Sequence, residues 1–217
     1  MNIAKIATTR RTTKAFDPAR KLPAEVVDQI ETLLRYSPSS VNSQPWHFVI
    51  VSSDEGKGRL AKALTGTYAF NEPKMRNASH VVVFCTRASI DDAHLATLLA
   101  QEARDGRFAS DEARAAQQRG RGYFVGMHRF EKRDAQHWME KQVYLALGTL
   151  LLGAAALDVN ACPIEGFDQA VLDEELGLRA KVYTSAVLVA LGYGGADDFN
   201  AALPKSRLPL EQVITRL

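Results

Sequence analysis

The chain has 217 residues, of which 46% are hydrophobic and 24% charged, a globular balance and not a disordered one. A formal net charge of +2 gives no reason to expect a nucleic-acid or polybasic membrane partner. Two cysteines, Cys85 and Cys162, with no CxxC spacing argue against a disulfide framework and a zinc ribbon, and fit a reducing compartment.

The opening MNIAKIATTRRTTKAF contains no apolar run that could act as a signal peptide. Within it, TTRRTTK (8–14) carries cations and hydroxyls that suit a phosphate, or equally a solvated basic start. PAEVVDQIETLLRY (23–36) places Val26, Val27, Ile30, Leu33 and Leu34 on one helical face, with Pro23 in the first turn. That helix should stop near Tyr36, because the residue before Pro38 is pushed from helical angles. SPSSVNSQPW (37–46) follows, a loop by composition. HFVIVSS (47–53), HVVVFCT (80–86) and VYTSAVLVALG (182–192) read as strands apolar on both faces, in a sheet covered on both sides.

Residues 91–105 and 110–130 read as helices, the second opened by Ser110 with Asp111 and Glu112 behind it. The helix at 136–157 is apolar nearly all round after Gln142. Such a helix is buried on every side, most easily at a subunit interface, so a homodimer is expected. The run also falls short of the ~20 apolar residues of a membrane span, and a cytoplasmic protein without a membrane partner is expected. Cys162 to Phe167, CPIEGF, is bracketed as a loop in which Gly166 lets backbone approach a ligand. Asp168 can cap a helix through Leu176 that Gly177 ends. GYGGADDF (192–199) reads as a turn, and LPKSRLP (203–209) frames Lys205 and Arg207 between prolines, either a surface turn or an anion grip. Helices outnumber scattered strands without βα alternation, which favours α+β in one domain spanning 1–217. No GxGxxG after a strand, P-loop, HExxH or GxSxG occurs, and His47, His80, His94, His128 and His137 are too scattered for metal ligation.

Taken as a set and in order, Arg10-Arg11-Thr12-Thr13-Lys14, SPSSVNSQPW, FNEPKM (70–75), PIEGF and LPKSRLP resemble the FMN-dependent nitroreductase family. Within it they are most like the oxygen-insensitive NAD(P)H nitroreductase and dihydropteridine reductase branch, over essentially the whole chain. The resemblance implies a mixed central sheet flanked by helices, in an intertwined homodimer whose C-terminal strand joins the partner's sheet. It implies bound FMN at each end of the interface, NADH or NADPH as electron donor, and nitroaromatic, quinone or dihydropteridine oxidants.

Residue by residue, the resemblance makes Arg10, Lys205 and Arg207 the clamp on the FMN phosphate, with Thr12 adding a hydroxyl and Arg11, Thr13 and Ser206 beside them. Lys14 and Lys74 would lie at the N1/O2 edge of the flavin, where positive charge offsets the charge that reduction brings. Asn71 would bond the pyrimidine edge. Glu165 and Gly166 would present backbone to N5 and O4, with Pro163 and Ile164 under the ring. Ser39, Ser40 and Asn42 would come from the other subunit, and Pro38 is also implied as a cofactor contact. Val41, Tyr68, Phe70, Arg107 and Phe124, with Lys14, Asn71 and Lys74, would line the substrate mouth. Arg11, Thr12 and Val41 stand where close relatives often carry histidine, serine and a hydroxyl residue. No catalytic acid or base is implied, and no metal.

Overall fold

The computed structural model describes residues 2–217. Four strands, β1 (Trp46–Val51), β2 (His80–Arg87), β3 (Asn160–Ile164) and β4 (Tyr183–Gly192), form one sheet in the order β1-β2-β4-β3. Each neighbouring pair is antiparallel. The mixed character expected of the sheet is therefore not in this chain's own strands; its one parallel contact among the described residues is a single bridge from Thr12 to Ala161 on the open side of β3.

β2 and β4 lie inside the sheet, and their uniformly apolar runs bury on both faces. Val81, Val83 and Cys85 point into one core with Leu60, Leu64, Met75, Leu172 and Leu188. Val82 and Phe84 point into the other with Ile30, Leu34, Val143, Leu150 and Val189. This is the period-two alternation of a strand with a core on each side. β1, an edge strand, differs from expectation: it is only half-buried, and His47 is exposed.

Ahead of β1 come α1 (Ile3–Thr9) and α2 (Ala24–Arg35). Between β1 and β2 lie α3 (Asp54–Ala61) and α4 (Glu72–Asn77). Then follow α5 (Asp92–Arg104), α6 (Asp111–Gly126), α7 (Ala135–Ala156), α8 (Gln169–Leu176) and a terminal turn, α9 (Leu210–Val213). The caps sit where the residue types put them. Ser110 Oγ accepts from Ala113 N–H at 3.2 Å, Asp168 Oδ1 from Val171 N–H at 3.1 Å, and Gly177 closes α8 at φ +61°. Pro23 falls one residue outside α2, as its N-cap.

Two expected spans change. The helix expected over 110–130 turns at Met127 into a π turn that ends at Glu131. CPIEGF is not all loop, because β3 runs through Pro163 to Ile164; on an edge strand the missing N–H costs no ladder bond. A third small core of Ile90, Val125, Trp138 and Met139, with Val41 and Leu95 against it, lies under α5, α6 and the start of α7.

α7 is not enclosed on every side within one chain. Its inner face carries Val143, Ala146, Leu147, Leu150 and Ala154 into the core, while Tyr144 and Leu145 on the outer face are 40% and 49% exposed. No helix among the described residues is long and apolar enough to cross a membrane.

Candidate functional site

The two ends of the chain meet. After α1 the backbone extends, and Thr13 N–H donates to Ala161 O of β3 at 3.1 Å. The segment after β4 folds back over it. Asp198 Oδ1 accepts the Lys14 N–H at 2.9 Å, Asn200 Nδ2 donates to Thr12 O at 2.7 Å, and Arg11 Nε lies 3.6 Å from Asp198 Oδ2. Lys205 Nζ donates to Ala7 O at 3.1 Å and to Arg10 O, so it caps the C-terminus of α1.

Between these segments is a cavity of about 520 Å³ with Arg10, Arg11, Thr12, Asn200, Lys205, Ser206 and Arg207 among its walls. Four of its lining residues are cationic and none is a carboxylate. Burial pushes the Lys205 ammonium below its ordinary range, and the adjacent Arg10 and Arg207 charges push it further. A second cavity of about 250 Å³ shares Arg10, Arg11 and Thr12 and reaches Leu151 and Ala155 of α7 and Pro163 of β3. Thr13, expected beside the clamp, is fully buried instead, its hydroxyl without a partner.

At the end of β3 a second cluster forms. Asn71 Nδ2 donates to Gly166 O at 2.9 Å, and Lys74 Nζ donates to Asn71 Oδ1 at 2.8 Å. Lys74 Nζ also lies 4.6 Å from the centre of the Phe70 ring, a cation–π contact. Gly166 has no room for a side chain: a Cβ there would stand 2.9 Å from Asn71 Nδ2 and 3.3 Å from Tyr68 Cδ1. Burial lowers the Lys74 pKa; Lys14 adds to that and Cys162 opposes it. Thus Tyr68, Phe70, Asn71, Lys74 and Gly166 meet at the end of β3, with the Lys14 charge near enough to act on Lys74. Ile164 is 3% exposed, its side chain committed to the core, so only its backbone is free for a ligand. Tyr144 Oη donates to Glu165 Oε1 at 2.5 Å, and burial followed by the Glu165 charge pushes that phenol's pKa up.

The Ser39–Asn42 loop lies apart from both clusters. Ser40 N–H donates to Gln142 Oε1 at 2.8 Å, and Ser39 Oγ accepts the Gln44 N–H at 3.0 Å. Val41 sits half-buried against the third core with φ +49°. Pro38 and Arg107 are exposed, and Phe124 is 45% exposed on α6 with its ring edge-on to Tyr123. Six residues that sequence reasoning missed hold these pieces: Asp198 and Asn200 at the chain ends, Tyr144 at Glu165, and Glu102, Arg121 and Gln142 at the loop. The only local signal was the GYGGADDF turn, which places Asp198 in a tight return.

The profile of the nitroreductase family matches residues 7–193, a span that runs from the last turn of α1 through the whole sheet and the Gly166 cluster. The chain belongs to the nitroreductase family. An oxygen-insensitive NAD(P)H nitroreductase of Salmonella typhimurium is 56% identical over 217 residues, 100% of both chains. The major NAD(P)H-flavin oxidoreductase of Aliivibrio fischeri is 34% identical over 209 residues, covering 96% of this chain and 95% of that one. Among solved structures, a protein of Exiguobacterium sibiricum in complex with FMN superposes with a TM-score of 0.83 at 24% identity, over 100% of this chain and 98% of that chain, a likeness of fold.

Proposed function

We propose that residues 1–217 form one FMN-binding domain that carries two electrons from NADH or NADPH to nitroaromatics, quinones or dihydropteridines by a ping-pong cycle. The observation that carries this reading is the cavity between the chain ends, with four cations and no carboxylate in its lining. The residues fit FMN. A phosphate dianion offsets the Arg10 and Arg207 charges that, after burial, hold the Lys205 pKa down, and the lack of a side chain at Gly166 lets Asn71 close against it beside Lys74. The names of the 56% and 34% identical relatives supply the nicotinamide donor.

In this reading Arg10 and Arg207 offer guanidinium forks to the phosphate, Lys205 a point charge, and Thr12 and Ser206 hydroxyls. When bound, FMN supplies the hydride chemistry, accepting from the nicotinamide and giving to the oxidant. Lys14 and Lys74 would place positive charge where the reduced cofactor carries negative charge, and Asn71, tied to Gly166 and Lys74, would hold its edge in register. Glu165 and Gly166 would offer backbone groups to FMN, with Pro163 and Ile164 beside them. Tyr68, Phe70 and Phe124 offer aromatic faces to flat oxidants, with Val41 and Arg107 at the rim. Water supplies protons, so no side chain acts as acid or base.

The site is completed by a second copy. The outer face of α7 is apolar and open, and Leu208, Leu210, Val213 and Ile214 of the tail are all about half exposed or more. Such surface is covered in a homodimer. The tail then adds to the partner's sheet, and Ser39, Ser40 and Asn42 reach the partner's flavin.

Purified protein should be yellow, and with a quinone it should give parallel double-reciprocal lines as NAD(P)H is varied. A colourless protein that neither retains nor binds added FMN overturns the proposal. The 34% identical flavin oxidoreductase favours a second reading, in which reduced flavin is released. Faster turnover of free FMN than of nitrofurazone would select it.

A further inference from the structure

Arg121 of α6 and Glu102 of α5 form an ion pair at 2.5 Å with side chains only 2% and 4% exposed. No other ion pair among the described residues has both partners so deep. Pairs of this kind add little stability compared with apolar residues of the same volume. Here Glu102 Oε2 is also buried without a hydrogen-bond partner, which a device built for stability would not leave. The bonds that are made lead to one place. Arg121 Nε donates to Val41 O at 2.9 Å, and Asn42 Nδ2 donates to Glu102 Oε1 at 2.8 Å.

Val41 and Asn42 have φ of +49° and +52°, and Gln44, bonded through Nε2 to Asn42 Oδ1 at 3.1 Å, has φ +42°. A β-branched residue in the left-handed region is unfavourable and persists only where its surroundings over-determine it. The pair supplies that constraint, gripping the carbonyl of the first kinked residue and the amide of the second. His94 Nε2 donates to Ser43 O at 2.7 Å, so α5 holds the loop a second time. Arg121 also stands one helical turn before Phe124. One guanidinium thus fixes the loop and the helix that carries Phe124 relative to each other.

We propose that Arg121 and Glu102 are positioning residues that set the Val41–Asn42 kink and its spacing from Phe124, and thereby the enzyme's discrimination among oxidants. The inference rests on the reading above that this loop and Phe124 border the substrate mouth. Val41 carries no hydroxyl, so specificity at this rim comes from where its backbone and methyl groups are held.

The test uses the full-length protein in three forms: wild type, Arg121→Lys, and the double variant Arg121→Met/Glu102→Met. The double variant removes both charges together and leaves none stranded, and its melting temperature should stay near wild type. Lysine keeps the charge opposite Glu102 but lacks the planar fork that also serves Val41 O. Amide hydrogen exchange on the apoprotein should rise at least tenfold at residues 40–44 in the double variant and less in Arg121→Lys. With FMN bound, KM for a quinone and for a nitroaromatic should rise by unequal factors, tenfold or more for one of them, while kcat changes less than threefold. Unchanged exchange at the loop overturns the inference, as do wild-type KM values for both oxidants in the double variant. Absence of FMN binding and turnover in the wild type would instead overturn the functional reading, and the exchange result would still decide whether the pair holds the loop.

Discussion

Replacing Lys205 by alanine should weaken FMN binding about tenfold, and Arg207→Ala should do the same. A charge-assisted hydrogen bond is worth about 1.5–3 kcal/mol, and the low end applies because the tail is exposed to solvent. Two features of the structure bring the figure down further. Lys205 must share its ammonium with Ala7 O and Arg10 O, and removing it relieves its repulsion with Arg10 and Arg207. A net loss of about 1.4 kcal/mol, tenfold in Kd, follows. The pH dependence has a definite sign. The free ammonium sits below its ordinary pKa because of burial and then its two cationic neighbours. A bound dianion raises that pKa, so binding takes up a proton. Affinity falls as pH rises through the lowered value of the free protein, and Lys205→Arg, which cannot deprotonate, should flatten that fall. Quenching of flavin fluorescence on titration into apoprotein, at two salt concentrations and across alkaline pH, measures all of this. Unchanged affinity and unchanged salt dependence in both alanine variants would refute the clamp.

Asp198→Ala leaves the Lys14 N–H without its acceptor and unties the chain ends; a loss of about 2 kcal/mol is expected, with melting about 4–8 °C lower, and Asp198→Asn should recover most of it. Gly153→Val on α7 drives a side chain into Leu33, whose Cδ1 is 2.4 Å from even a Cβ; thermal melts should show a loss of about 2–3 kcal/mol through the α2–α7 contact. Gly166→Ala should weaken FMN binding about tenfold and lower stability by about 1 kcal/mol in a thermal melt, because the methyl displaces the Asn71 amide from Gly166 O.

How much of this was legible depends on how local each cause is. The interior strands announced themselves because a strand buried on both faces has no reason to alternate, and Val81–Phe84 and Val187–Leu191 do not. α6 and α8 were legible from Ser110, Asp168 and Gly177, whose partners lie three or four residues away. α1, α3 and α4 are short, and α3 is built around DEGKGR, with no apolar stripe to read. β3 was hidden by Pro163, which argues against a strand until the strand is known to be an edge. The cations of the site could be named from the set of motifs, but their arrangement depends on Asp198 and Asn200, 184 and 188 residues from their partners. The loop depends likewise on Gln142 and Arg121, 102 and 80 residues away. No periodicity or cap rule reaches across such distances.

The same helix that bears Gln142 bears Tyr144, and together they separate the two halves of the site. Gln142 holds Ser40, and Tyr144 holds Glu165. Residues two apart on an α-helix project about 200° from each other, so the loop and the end of β3 lie on opposite sides of α7. If both border one flavin, they come from different copies. Take one variant defective in the clamp (Lys205→Ala/Arg207→Ala) and one defective in the loop (Ser39→Ala/Ser40→Ala/Asn42→Ala). Each alone should be weak at an FMN concentration that saturates only the wild type. Co-expressed, they form mixed dimers with one site assembled from an intact clamp and an intact loop, and one site defective in both. Random pairing makes half of the dimers mixed, so about a quarter of wild-type activity should return. If clamp and loop of the same chain served one site, every site would carry a defect and mixing would restore nothing.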